Sequence, residues 1–250
     1  MLQRHFRYAA ARTLLTSFLA PASPGIPADP DARNAALQAP LRVLWDRAER
    51  GGLTVYEVAA EVRDIGESLA AGPAGAERLP DDLRELAEKS GPGGEPAVFL
   101  DIAERVEDWP IGLTARLPGM VPTAWELSRR FPQLHEMLVV WFGQDGLALE
   151  DEDLTDTERI ELYVADCHDR ISVCPWQLPR IVAECAEALA LFTDDDSLRR
   201  FFAGELGLGS ASQDSWTVWL TLISDTLTDH LRREHGPMPW TGGREEQSAC

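Results

Sequence analysis

The sequence predicts an all-α fold: a multi-helix bundle or array of about nine to ten helices, with room for two packed halves. Three observations carry this. Apolar residues recur at helical spacing along nearly the whole chain. Period-two alternation hardly appears, and no β-α-β order can be traced. Proline and glycine clusters separate the apolar runs, and Thr or Asp caps stand at several of their starts.

In chain order, Phe6, Ala10, Leu14 and Phe18 recur every four residues, the pattern of an amphipathic helix docked on the rest of the protein. Arg4, Arg7 and Arg12 with the run Leu14 to Ala20 and Ala20-Pro21-Ala22 have the outline of an export signal. The apolar run is too short for one and Arg12 lies close to its start, so a cytoplasmic protein is expected. Pro21 to Pro30 breaks the chain. Asp31 to Arg50 follows as a helix with Leu37, Leu41, Leu44 and Trp45 inward, kinked or restarted at Pro40 and ended by Gly51-Gly52. Thr54, with Glu57 three residues on, opens a helix through Val55, Val58, Ala59, Val62, Ile65 and Leu69. A glycine-rich loop, Ala71 to Ala76, leads to a short helix from Pro80 to Lys89. After the loop from Ser90 to Pro96, Val98, Phe99, Ile102 and Val106 mark the next helix, which stops before Pro110.

Three prolines and two glycines between Pro110 and Pro122 make the best candidate boundary. It gives an N-terminal helical domain over 1–120, an acidic helical domain over 121–235 and a frayed tail over 236–250. In the second domain Thr123 caps a short helix ending near Arg130, and Pro132 opens one carrying Leu134, Leu138, Val139, Trp141 and Phe142. Gly143 to Asp153 is an acidic loop. Thr155 and Glu158 cap a helix with Ile160, Tyr163, Val164 and Cys167 inward. Pro175 opens one with Leu178, Ile181, Val182, Cys185, Leu189 and Leu191. Asp194-Asp195-Asp196 starts another through Leu198, Phe201 and Phe202 to Gly204. Trp216, Trp219, Leu220, Leu222, Ile223, Leu227 and Leu231 form the last.

Composition bounds the function. The chain has 250 residues, 44% apolar and 26% charged, which excludes a wholly disordered protein. No stretch approaches the roughly 20 apolar residues of a membrane span. Twenty-three basic residues face 42 acidic ones, a net charge of -19. Such a surface repels phosphate backbones, so no nucleic-acid partner and no membrane partner is expected, and a basic protein is favoured.

Catalytic and metal-binding patterns are scarce. Cys167, Cys174, Cys185 and Cys250 form no disulfide framework and read as reduced, structural thiols. Cys167-His168, Cys174 and Cys185 lack the C-x2-C pair that anchors tetrahedral zinc, so neither metal nor cofactor is expected. The Asp194–Asp196 triplet resembles a magnesium cluster but suits a helix start better, where acids complement the dipole. Asp151-Glu152-Asp153 fails the EF-hand template, which would place Asp156 at the glycine and Leu162 at the bidentate glutamate. His5, His135, His168, His230 and His235 are scattered, and no nucleophile elbow, P-loop, dinucleotide fingerprint or zincin motif is present. No enzyme is expected.

Charge distribution is the positive signal. Residues 131–200 hold sixteen acids against five arginines, and between Asp145 and Asp169 ten acids accompany only Arg159. Trp141 and Phe142 precede this run and Trp176 follows it. Apolar anchors rimmed by charge suit a tight, electrostatically steered interface, and a solvated acidic face is the alternative.

Phe131-Pro132-Gln133-Leu134, then Trp141-Phe142-Gly143-Gln144-Asp145, resembles the F-P-x-L…[YW]-F-x-Q-D opening of small acidic immunity proteins of contact-dependent growth inhibition and related polymorphic toxin systems. The likeness extends over about residues 131–232 through helix spacing and acidity, and departs at Gly143 and Gly146, where the family commonly has His and Trp. It implies a cytoplasmic immunity protein that binds a cognate toxin protein and occludes its active or substrate-binding cleft. The expected contact residues are Trp141, Gln144, Asp145, Glu150, Asp151, Glu152 and Asp153. An all-α regulatory or scaffold protein is the alternative, with a metal-dependent all-α enzyme using Asp194–Asp196 behind it.

Overall fold

The computed structural model describes residues 7–91, 95–143, 146, 153–170, 173–209 and 215–237. Among them are fourteen α-helical segments and no strand, so the fold is all-α. The number exceeds the expected nine to ten because one-turn helices occupy segments that read as loops. Pro73–Ala76 and Leu113–Arg116 each follow a glycine at positive φ, Gly72 at 78° and Gly112 at 69°. That conformation lets the chain reverse into a fresh helical turn without a Cβ clash. The chain divides into two compact units, Met1–Glu126 and Leu127–Cys250.

In the first unit the elements are α1 (Ala9–Leu14), α2 (Thr16–Leu19), α3 (Pro30–Glu49), α4 (Val55–Ala70), α5 (Pro73–Ala76), α6 (Asp81–Lys89), α7 (Pro96–Asp108) and α8 (Leu113–Arg116). A ninth helix, α9 (Ala124–Ser128), straddles the unit boundary. The most extensive packing is between α4 and α7. It buries Val58, Val62 and Ile65 of one and Phe99, Ile102 and Val106 of the other. Gly66 permits the approach: a Cβ there would stand 3.0 Å from a Leu100 methyl and 3.2 Å from the Pro96 carbonyl.

Ala10, Leu14 and Phe18 are buried, as an amphipathic N-terminal segment requires, while Phe6 lies outside the described residues. Polar contacts add to this docking. The Tyr8 hydroxyl donates to Asp64 at 2.5 Å, the Ala11 amide donates to Glu61 at 2.9 Å, and Arg12 pairs with both Asp82 oxygens at 2.6 and 2.9 Å. Burial and the Asp64 carboxylate push the Tyr8 hydroxyl up to about 12.

Helix α3 does not restart at Pro40. It begins at Pro30, capped by Asp29, and runs unbroken through the buried Pro40. The missing amide bond there is tolerated because the ring adds to the buried face between Leu37 and Leu41.

The second unit holds α10 (Pro132–Phe142), α11 (Asp156–Ala165) with a wide π turn at Asp166–Arg170, α12 (Cys174–Leu191), α13 (Asp195–Arg199) with another at Arg200–Glu205, and α14 (Trp216–Glu234). Helices α12 and α14 pack along each other, with α11 against α14 and α10 against α12. Their core is aromatic. Phe131, Phe192, Phe201, Phe202 and Trp216 form a chain of ring contacts at 5.0–6.3 Å, and Phe142 meets Trp219 edge-on at 5.0 Å. Leu191, expected inside, is exposed because it is the last helical residue before Phe192 takes the inward position.

Carboxylates cap the helix starts. Capping boxes are present at Thr54/Glu57 and Thr155/Glu158. Thr123 and Glu126 exchange the same pair of bonds, and Glu126, itself buried, also receives Arg42 at 2.5 and 2.8 Å. Glu184 of α12 is only 7% exposed and accepts the Gln133 and Leu134 amides at 3.3 and 2.8 Å, closing the first turn of α10.

Two outcomes follow. Glu184→Ala leaves those amides buried without an acceptor and lowers stability by about 1–3 kcal/mol in urea unfolding. For Glu126, burial alone would raise the carboxyl, but the Arg42 and Thr123 bonds outweigh it and hold it below 4.5. The stabilisation is therefore present above pH 4.5 and lost as pH falls through the lower folded value. Glu126→Gln flattens the acid limb of the stability–pH curve; an unchanged limb refutes the assignment.

Candidate functional site

Trp141 is half-buried at the edge of the second core, its indole edge-on to Tyr163 with centroids 5.4 Å apart. Asp153 is exposed. Gln144, Asp145, Glu150, Asp151 and Glu152 lie outside the described residues. The motif's apolar members serve the fold: Phe131, Leu134 and Phe142 are buried, and the amides of Gln133 and Leu134 are the pair that Glu184 accepts.

Around Trp141 the surface is mixed. Tyr163 is nearly buried and its hydroxyl accepts the Gln177 side-chain amide at 3.0 Å, joining α11 to α12. Burial chiefly, with the neighbouring Cys167 thiol and Glu136, pushes that hydroxyl well above the ordinary tyrosine range. On the same helices Val139, Val140, Leu162 and Trp176 are exposed, Trp176 at 68%. Exposed acids on these helices and their flanks include Glu136, Asp153, Glu158, Glu161 and Asp169.

Two acids of the Asp194–Asp196 triplet are spent on helix starts, while the third, Asp196, is exposed and pairs with Arg199 at 3.7 Å. Asp194 accepts the Ser197 amide at 2.7 Å and hydroxyl at 2.9 Å. Asp195 accepts the Ser215 hydroxyl at 2.7 Å and the Thr217 amide at 2.9 Å, tying α13 to the start of α14. These bonds hold both carboxyls below the usual aspartate value.

A second constellation was not assembled by sequence reasoning. The π turn after α11 carries His168, the first residue of α12 is Cys174, and the last turns of α14 supply His230 and, just past its end, His235. One potential ligand atom from each of the four lies within 4.8 Å of the others. Cys174 Sγ is 3.9 Å from His168 Nδ1, and the three imidazole centroids stand 5.2–5.4 Å apart. Cys174 and His230 are buried, His235 is half-buried, and His168 is exposed at the mouth of a cleft that Glu161 and Asp169 also line. The Nε2 atoms of His230 and His235 are buried and have no hydrogen-bond partner among the described residues.

Burial lowers the His230 imidazole, and His235 and His168 lower it further; burial raises the Cys174 thiol. Both shifts keep the side chains neutral. Imidazole nitrogens and a thiol sulfur are N/S donors of the kind that bind borderline-soft cations.

Of the four residues weighed in the sequence as Cys167-His168, Cys174 and Cys185, only His168 and Cys174 reach this cluster. Cys167 packs toward Tyr163 and Cys185 lies in the apolar core. The missing partners are 56 to 67 positions away in sequence from His168 and Cys174. The signal that points to them is His230-x4-His235, within the spacing of zinc-binding histidine pairs.

Comparison with protein-family models, curated proteins and solved structures returned no match. No helix among the described residues is long and apolar enough to cross a membrane.

Tyr163→Phe removes the Gln177 bond while keeping the ring against Trp141. Thermal unfolding is expected to show a loss of about 0.5–1.5 kcal/mol. Trp141→Ala costs about 2 kcal/mol or more if the indole serves the core, and less than 1 kcal/mol if it is mainly a surface group.

Proposed function

We propose that this chain is an immunity protein, which binds a cognate basic toxin domain in the cytoplasm and neutralises it by covering its active or substrate-binding cleft. The observation that carries this is that exposed apolar side chains, Trp176 foremost, flank the most acidic stretch of the chain. The resemblance over residues 131–145 points the same way. An acidic, aromatic-studded surface is the complement of a cleft built to hold a phosphate backbone. Long-range attraction speeds encounter, and desolvated aromatic anchors slow release. No turnover is required of the inhibitor, and two acids of the triplet, Asp194 and Asp195, are engaged at helix starts.

The test is a pull-down from the native cell with washes at low and high salt, followed by binding kinetics on the recovered partner. A stoichiometric basic toxin domain is expected. Reversing the charges at Glu150, Asp151, Glu152 and Asp153 to Lys slows association about tenfold or more at low salt, with the difference shrinking at high salt. Trp176→Ala speeds dissociation about tenfold. Recovery of no basic protein, or rates indifferent to both changes, refutes the proposal.

A further inference from the structure

We propose that His168, Cys174, His230 and His235 bind one zinc ion, a closed site of four protein ligands that fastens the end of α14 to the start of α12 and to the turn after α11. The inference is independent of any partner, since it rests on the interior of the second unit.

Donor geometry comes first. Tetrahedral zinc with bonds of 2.0–2.3 Å sets its donors about 3.3–3.8 Å apart. The Cys174–His168 separation of 3.9 Å is already close to this, and the 4.8 Å spread of all four donors closes with side-chain shifts of about 1 Å or less. The donors come from three separate elements, so the convergence is not a by-product of neighbouring positions on one helix.

Unmet polarity is the second observation. His230 is 8% exposed, and its Nε2, like that of His235, is buried without a partner among the described residues. A dry imidazole nitrogen normally finds a donor or acceptor, because leaving it unpaired is costly. Rings meeting edge to face would satisfy packing but not those lone pairs; a cation satisfies them together. Binding exchanges the Cys174 S–H proton for a sulfur–metal bond, the proton passing to solvent, and leaves one net positive charge on the ion, the thiolate and the three imidazoles together. Glu161, Asp169 and Glu234 line the adjoining cleft together with Arg233, so that three carboxylates outnumber one cation beside that charge. One thiolate with three imidazoles favours zinc over magnesium or calcium, which take oxygen.

The experiment uses the full chain, produced without a polyhistidine tag. Metal analysis is expected to find one zinc per chain. Chelation lowers Tm, and zinc restores it, with Tm rising further as free zinc rises, whereas magnesium does not. Cobalt(II) in place of zinc gives the visible bands of a tetrahedral site and a near-ultraviolet thiolate charge-transfer band. Cys174→Ser abolishes the charge-transfer band. His235→Gln, beyond the last helix and so least able to disturb folding, weakens zinc about tenfold or more in competition with a chelator while helix content by circular dichroism stays unchanged. His135→Gln, outside the cluster, changes none of these. A chain that takes up neither zinc nor cobalt, or one whose zinc affinity ignores His235→Gln, overturns the proposal. Because no partner is present, the outcome is separable from that of the toxin-binding experiment.

Discussion

The constraint beneath much of this structure is that a helix start leaves backbone amides without acceptors, and a chain built from many short helices has many such starts. Here they are answered largely by carboxylates. Glu57, Glu126 and Glu158 close capping boxes, Asp29 and Asp194 cap their own helices, Asp195 reaches the start of α14, and Glu184 crosses from α12 to α10. The acidity that dominates the composition is therefore not only a surface property. Part of it is structural, and Glu126 and Glu184 show it most clearly, since each is buried while carrying out that role.

The same constraint separates the two meanings of the motif at 131–145. Its Phe, Pro and Leu positions carry the resemblance in the sequence and serve in the fold as a helix-starting device, with Phe131 locked into the aromatic core and the amides behind Pro132 held by Glu184. The proposed interface draws instead on the exposed side chains of the same helices, Val139 and Val140 on α10, Leu162 on α11 and Trp176 on α12, which with their flanks also carry exposed carboxylates.

Local patterns made the fold legible. Thr-x-x-Glu at 54 and 155 and the buried stripe from Val55 to Ile65 depend on neighbours three or four residues away, which the sequence displays directly. One-turn helices after Gly72 and Gly112 were hidden because loops and single helical turns share glycine and proline. The passage of α3 through Pro40 was hidden because burial, a tertiary property, outweighed a local penalty. The His/Cys cluster was least visible of all. Two of its links, His168 to Cys174 and His230 to His235, are short in sequence; the two pairs meet only because α14 folds back along α12 and beside α11.

That return of α14 also sets an order of events during synthesis. The first unit holds all of its core-forming helices by Glu126 and can close while the remainder of the chain is still being made. The second cannot, because Trp216, Trp219, Leu220, Ile223 and Leu227 supply one wall of its core and emerge after every other helix of that unit. Until they arrive, α12 presents an uncovered apolar face. The second unit thus has a longer nascent window in which chaperones, or a premature stop, decide its fate.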